Sequence, residues 1–384
     1  MSKANEAGSE LDIKLARVRS LMERKNYGAC LFLSQHNFSW LTCGGSDPVV
    51  HGLTEGFPGI LVTAEELFLI ASNIEMPRLQ AEELAAWKTA AAGPRPHGRT
   101  NPTFQSVEYP WIGGSAEREV RAIVGDCPMA TDLPWTMGSV EPKLGDLRVP
   151  LDERETARFG KLAAECAGAF DLLSEKLAPG QSEVEIQSIL AAELMTHGIY
   201  TPVLLVGTDQ RVFRFRHPVP TSRRLERYAM VVVCAERGGL VVSMTRLFHF
   251  GPPTREILDK YEALLRVDMA YIKASRPGRS LSEVFEAGRS AYRDTGYAGE
   301  EHRHFQGGTC GYRLREHDLE ADSEYVLKAG EIFANNPSIS GVCIEDTILI
   351  EPRGYRVLTL SQNWPSRTME QDGTTLARPE ILIL

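Results

Sequence analysis

The run of elements from Glu153 to Thr359 constrains this chain more than any other feature, because few folds accept its order. Glu153–Leu177 carries Ala and Leu at helical spacing and stops at the Pro179-Gly180 turn. Ser182 and Glu185 stand three residues apart as a capping box for the next helix, Val184–His197. Short apolar runs at Val203–Val206, Met230–Ala235 and Leu240–Thr245 predict strands. Two helices follow, over 254–275 and 281–295, then a Gly-rich strand region at 304–313. Glu331–Asn335, Cys343–Glu351 and Arg356–Thr359 predict the closing strands.

The first 150 residues form a different pattern. Residues 13–25 predict an amphipathic helix, Ala29–Ser34 a buried strand, and the segment NFSWLTCGGSD a turn. Strands GILVT and LFLIAS, a helix over Ile74–Trp87, a Gly/Pro-rich loop over 88–114 and a helix over Ala116–Val124 follow. At 384 residues the chain is long enough for two domains, and the change of pattern near Pro150 divides it into 1–150 and 151–384. The fold class expected is mixed α/β (α+β).

Charge and cysteine usage narrow the partners. A net charge of -9 leaves no surplus cation to neutralise phosphates, so nucleic acid is not expected as a partner. The Arg211, Arg214, Arg216, Arg223, Arg224 and Arg227 cluster fits a pocket or a solvated loop better. No apolar run reaches membrane-spanning length, and Met1–Asp12 lacks the basic-then-apolar pattern of a signal peptide. The seven cysteines form no CxxC pair. The expected setting is cytoplasmic, with reduced thiols and no membrane partner.

Four phrases, RHPVPTSRRLERYAMVVV, SMTRLFHFG, HFQGGTCGYRLRE and IEDTILIEPRG, stand in an order that resembles the creatinase/aminopeptidase P/prolidase family. The resemblance implies a creatinase-like N-terminal α/β domain followed by a C-terminal pita-bread domain. In metal-dependent members two Asp, one His and two Glu hold a pair of metal ions that activate water. By resemblance those places fall here at Val232, Ser243, Gly308, Asn336 and Glu345. Only Glu345 is a strong ligand for a hard cation. No metal and no other cofactor is therefore expected.

Other family positions are kept. His217 matches the histidine that acts as acid/base in metal-free creatinase, and His304 matches a second family histidine. Arg315 replaces a third, followed by the family's glutamate as Glu316, and Arg246 keeps the Thr-Arg place. The expected catalytic pair is His217 and Glu345, with Glu345 steadying the imidazole. Arg315, His304, Asn336, Ser243, Arg246 and Tyr312 are the expected substrate contacts, Arg315 being suited to a carboxylate. Two substrate-binding glutamates of creatinase fall at Thr245 and Asn336, so creatine is not expected. These readings imply a metal-independent hydrolase of a C–N bond in a small carboxylated molecule. The alternatives are an inactive peptidase-like protein that binds a peptide or small ligand, and an Xaa-Pro peptidase with an unusual metal set.

Plainer roles compete at each position. Arg315 could pair with Glu316 or Asp318, Glu345 could anchor its strand or pair with Arg246, and Cys234 and Cys310 could be inert packing. Gly307, Gly308 and Gly311 do not fit a phosphate loop and read as close backbone packing. The resemblance also implies a homodimer, with Phe38–Ser46 and the 88–114 loop as lids over the neighbouring subunit's site.

Overall fold

The computed structural model describes residues 3–47, 49–84, 104–371 and 373–384. It divides into two compact units, one running to Glu155 and including 238–240, the other comprising 156–237 and 241–384.

In the first unit, helix α1 (Lys3–Lys25) turns Leu11, Leu15, Val18 and Met22 into the core. It precedes a six-stranded sheet in the order β4-β3-β2-β1-β5-β6. Its strands are β1 (Ala29–Ser34), β2 (Glu55–Thr63), β3 (Leu67–Ser72), β4 (Phe104–Tyr109), β5 (Met129–Thr131) and β6 (Ser139–Val140). β1 and β3 are buried along their whole length, which explains their unbroken apolar runs.

Several sequence expectations change here. The predicted turn after β1 is in part helix α2 (Gln35–Leu41), capped by Ser34, with Phe38 and Trp40 fully packed. Phe38–Leu41 is thus core of its own unit and not a pliable lid. Pro77 opens a single helical turn at Met76–Arg78, and a wide turn at Leu79–Glu83 replaces the regular helix expected over Ile74–Trp87. Residues 85–87 of that helix and 88–103 of the expected loop lie outside the described residues, and the rest of the loop holds β4. Helix α3 (Ala116–Val124) follows the sequence reading.

The second unit begins within helix α4 (Glu153–Lys176) and continues with α5 (Glu183–Thr196), whose capping box by Ser182 and Glu185 is present. Strands β7 (Tyr200–Thr208), β8 (Tyr228–Arg237) and β9 (Leu240–His249) form one sheet. Between β7 and β8 lies the short helix α6 (Gln210–Arg214). Helices α7 (Arg255–Ala274) and α8 (Leu281–Asp294) share a buried core with both sheets of this unit, through Leu264, Ile272, Val284 and Phe333 among others.

The other sheet contains β10 (Gly307–Cys310), β11 (His317–Asp318), β12 (Ile332–Asn335), β15 (Asp346–Glu351) and β16 (Gly354–Val357), in the order β11-β10-β12-β15-β16. A separate pair, β13 (Ser338–Ile339) and β14 (Val342–Cys343), connects β12 to β15. A hairpin of β17 (Ser366–Gln371) and β18 (Thr374–Pro379) leads to β19 (Leu382–Ile383), which runs parallel to β9. These last strands carry no strong apolar period and were not expected. The two sheets meet where the Thr245 amide donates to the Glu345 carbonyl at 3.0 Å. The functional residues gather around that junction.

Candidate functional site

His217 sits on the loop between β7 and β8, and the loop is fixed from both ends. Glu183, fully buried in the first turn of α5, accepts from the Thr208 amide (2.9 Å), the Thr221 amide (2.9 Å) and the Thr221 hydroxyl (2.7 Å). It also pairs with Arg211. Asp209 accepts from the amides of Glu226, Arg227 and Tyr228 at 2.8–2.9 Å. These clamps hold the loop while the His217 ring stays exposed to a cavity. Glu183→Ala removes the ion-pair partner of the half-buried Arg211 and the acceptor of two threonines, so it should cost roughly 3 kcal/mol. Urea unfolding measures that loss, and an unchanged midpoint would remove Glu183 from this role.

The cavity has a volume of about 260 Å³. Val203, Leu205, Val232, Phe305 and Leu314, with Cys234 and Cys343, make its apolar wall. Its polar groups are Arg216, His217, His304, Arg315, Asn336 and Glu345. His304 and His217 meet Nε2 to Nε2 at 3.2 Å, and His304 Nδ1 lies 3.0 Å from the Ser338 hydroxyl. Burial, then the charges of His217 and Arg216, push the His304 imidazolium down to about 3, so His304 is neutral at ordinary pH.

Glu345 is buried and doubly engaged. Its Oε1 accepts from Arg315 Nη2 at 3.0 Å and its Oε2 from the Thr245 hydroxyl at 3.1 Å. Burial raises the Glu345 carboxyl above its ordinary value, although Arg315 and Thr245 pull it back. Arg315 Nη1 reaches the Ser243 hydroxyl (3.2 Å) and the Leu314 carbonyl (2.6 Å), leaving Nε without a protein partner. Phe305 packs on the guanidinium with its ring centre 5.3 Å away.

The structure redistributes the expected roles. No hydrogen bond joins Glu345 to His217 among the described residues, so Glu345 does not steady that imidazole by direct contact. Arg315 pairs with Glu345 and not with Glu316 or Asp318. Arg246 does not line the cavity. It is buried against Asp346 (2.8 Å), the Thr359 carbonyl (2.7 Å) and the Thr245 carbonyl (2.8 Å). Asp346 bridges on to Arg378 at 2.9 Å, and Arg378 to Asp268 at 2.6 Å. That network pins β15 behind Glu345. Tyr312 is also buried away from the cavity, its hydroxyl 3.5 Å from Arg158. Ser243 lies behind the lining, bonded to Arg315 and to Cys234.

Three residues escaped the sequence reading as site members. Arg216, paired with Glu300, lines the cavity beside His217. Phe305 follows His304, and Ser338 sits on β13 behind it. Adjacency to a named histidine could have drawn attention to the first two, but nothing in NNPSIS marks Ser338. Cys234 and Cys310 are both pushed up to about 12 by burial, as inert packing thiols are.

The five family ligand positions offer a poor donor set. Val232 is wall, the Ser243 hydroxyl is spent on Arg315, and the Asn336 side-chain oxygen accepts from Cys343 at 3.2 Å. Gly308 has φ of 154°, and a Cβ there would lie 2.2 Å from the His317 carbonyl oxygen, so a histidine has no room. The one carboxylate already holds a guanidinium. Among the described residues, the one cluster with three carboxylates placed to share an ion is Glu10, Asp152 and Glu155 in the first unit. There Lys14 already pairs with Glu10 at 2.6 Å and Glu155 at 2.8 Å. The residues present therefore do not fit the family's metal pair.

Comparison with known proteins agrees with the fold. An uncharacterised peptidase of Staphylococcus epidermidis is 27% identical over 235 residues, which cover 57% of this chain and 65% of that relative's length. A dipeptidase of Mycobacterium ulcerans superposes with a TM-score of 0.74 at 17% identity, over 98% of both chains. An Xaa-Pro dipeptidase from Bacillus anthracis gives 0.72 at 17% identity, over 97% of this chain and all of the other. The architecture is thus the pita-bread fold with its N-terminal companion. No helix among the described residues is long and apolar enough to cross a membrane. The model of metallopeptidase family M24 matches residues 157–352, just over half of the chain, and the chain belongs to that family.

Proposed function

We propose that this protein is a metal-independent hydrolase of a C–N bond in a small carboxylated molecule of amide, lactam, ureido or amidine type. The observation that carries the reading is the exchange of charges at the site. Arg315 holds the one retained ligand carboxylate, while a pair of histidines opens onto the cavity. His217 takes a proton from water as the water oxygen adds to the carbon of the C–N bond. It returns that proton to the leaving nitrogen as the bond breaks. Both Nη atoms of Arg315 are engaged and its Nε is buried, so the substrate carboxylate falls to Arg216, which lines the cavity beside His217 and holds Glu300 through one nitrogen. Arg246 and Tyr312 act behind the site, as supports.

The apolar wall favours a second reading, in which the cavity binds a small ligand or peptide terminus without cutting it. The M24 match also keeps an Xaa-Pro peptidase in view, which would need metal. The purified protein should carry well under one equivalent of Mn, Co, Zn or Fe per chain, and EDTA should leave its thermal unfolding unchanged. One equivalent of metal retained through dialysis, and lost with a fall in stability, would transfer the case to the peptidase.

We place the protein in the cytoplasm and expect a homodimer. Ile112 is 89% exposed and Trp111 56% exposed, and they take the place of Phe38–Ser46 as lid groups. Light scattering across micromolar concentrations should give twice the 42.6 kDa chain mass. A monomer throughout would count against the assembly.

A further inference from the structure

The cavity beside His217 has an apolar side that the proton transfers do not use. Strands β7 and β8 pair antiparallel, with Leu205 opposite Val232 and Val203 opposite Cys234. Side chains alternate along a strand, so these four share one face of the sheet, and all four line the cavity. Leu204, Val206, Val231 and Val233 point to the other face and are buried in protein. On the cavity face Val203, Leu205 and Val232 are only half-buried. One side of the sheet is packed by protein, and the other is offered to the cavity. Phe305 and Leu314, 38% and 37% exposed, extend the same apolar lining toward solvent.

The polar lining leaves one charge for a ligand to meet. Glu345 is taken by Arg315 and Thr245, so that pair brings no net charge. Arg216 holds Glu300 through one nitrogen and lines the cavity with the rest of its guanidinium. An apolar face beside one cation suits an anion that carries an apolar group. Size sets the limit on that group. A cavity of ~150 Å³ lined by aliphatic and aromatic side chains holds one benzene-sized molecule. About 260 Å³ therefore holds one branched or single-ring group with a carboxylate beside it, and no long chain.

We propose that the face made by Val203, Leu205, Val232 and Cys234 is a subsite for one compact apolar group, branched aliphatic or single-ring, of a ligand whose carboxylate meets Arg216. That this ligand is also the molecule cut rests on the hydrolase reading. Its binding does not.

Simple carboxylic acids contain no C–N bond, so they report the subsite without turnover. Chemical-shift titrations of the full chain with acetate, isobutyrate, isovalerate, phenylacetate and decanoate make the test. Affinity should rise by about fourfold for each carbon buried from acetate to isovalerate. Phenylacetate should keep the gain, and decanoate should lose it. Isovaleramide, which has the shape without the charge, should bind roughly tenfold more weakly than isovalerate. Val232→Thr keeps a β-branched residue on β8 while giving the face a hydroxyl, so it should flatten the series and leave acetate unchanged. Isovalerate and phenylacetate bound no more tightly than acetate would overturn the proposal. So would a gain that continues through decanoate, which would make the face a lipid surface. Equal binding of isovaleramide would remove the anion, and a Val232→Thr series as steep as wild type would remove the face. The expected series in a protein that turns over nothing would leave the subsite standing and end the hydrolase reading. Turnover with a flat series would do the reverse.

Discussion

His217→Ala should lose turnover by on the order of 10²–10⁴-fold, the usual weight of a general acid or base. Its fold should survive, because the ring is exposed and its one hydrogen bond is to His304. The loop that carries it is held by Glu183 and Asp209, neither of which touches the imidazole. Affinity for a carboxylated ligand should also persist, since Arg216 remains on the cavity lining. The measurement is a mass-spectrometric screen of small carboxylated amides, lactams and amidines, run beside the variant. A product formed equally fast by both proteins would take His217 out of the mechanism. No product at all, alongside binding that survives the substitution, would give the cavity to the non-cutting reading.

The sequence made the second unit legible because its local signals agree with one another. The Ser182–Glu185 box, the Pro179-Gly180 stop and the twin apolar runs each fix an element, and together they fix its neighbours. His217, His304, Arg315, Asn336 and Glu345 do line one cavity. Their partners were less legible, because an ion pair such as Arg315–Glu345 joins residues 30 positions apart and leaves no local trace. Arg246 and Tyr312 were misplaced for a related reason. Position in a phrase shows which strand carries a residue, whereas burial against Asp346 on β15 or Arg158 on α4 is set by other elements. The α2 helix was missed because NFSWL has turn-like composition, and packing of Phe38 and Trp40 overrides that local preference. The terminal strands β17 to β19 were missed because they alternate weakly.

The second large effect should appear at the Arg315–Glu345 pair, and in stability more than in binding. Arg315→Ala leaves the Glu345 carboxylate buried with a lone hydroxyl donor, Thr245, and breaking such a pair from one side costs about 3–5 kcal/mol. Removing the charge as well, in Arg315→Ala/Glu345→Gln, should recover a large part of that loss, because the penalty lies in the stranded charge. The pH dependence has a definite sign. Burial already raises the Glu345 carboxyl, and Arg315 is the main group pulling it down, so the variant's carboxyl rises further. Native Arg315→Ala then keeps a proton that the unfolded chain releases near pH ~4.3. Relative to wild type, its stability should therefore fall as pH rises through the interval between the wild-type and the variant titrations of Glu345, and level off once the variant's folded group has ionised. Urea unfolding of wild type, both single variants and the double variant at several pH values yields the coupling directly. Added Mn(II) should not rescue Arg315→Ala, because Val232, Ser243, Gly308 and Asn336 bring no second carboxylate to the vacated place. An Arg315→Ala protein as stable as wild type at neutral pH would show that Glu345 does not need the guanidinium. Stabilisation by stoichiometric Mn(II) would show that the site still accepts the family's cation, and the metal-independent reading would fall with it.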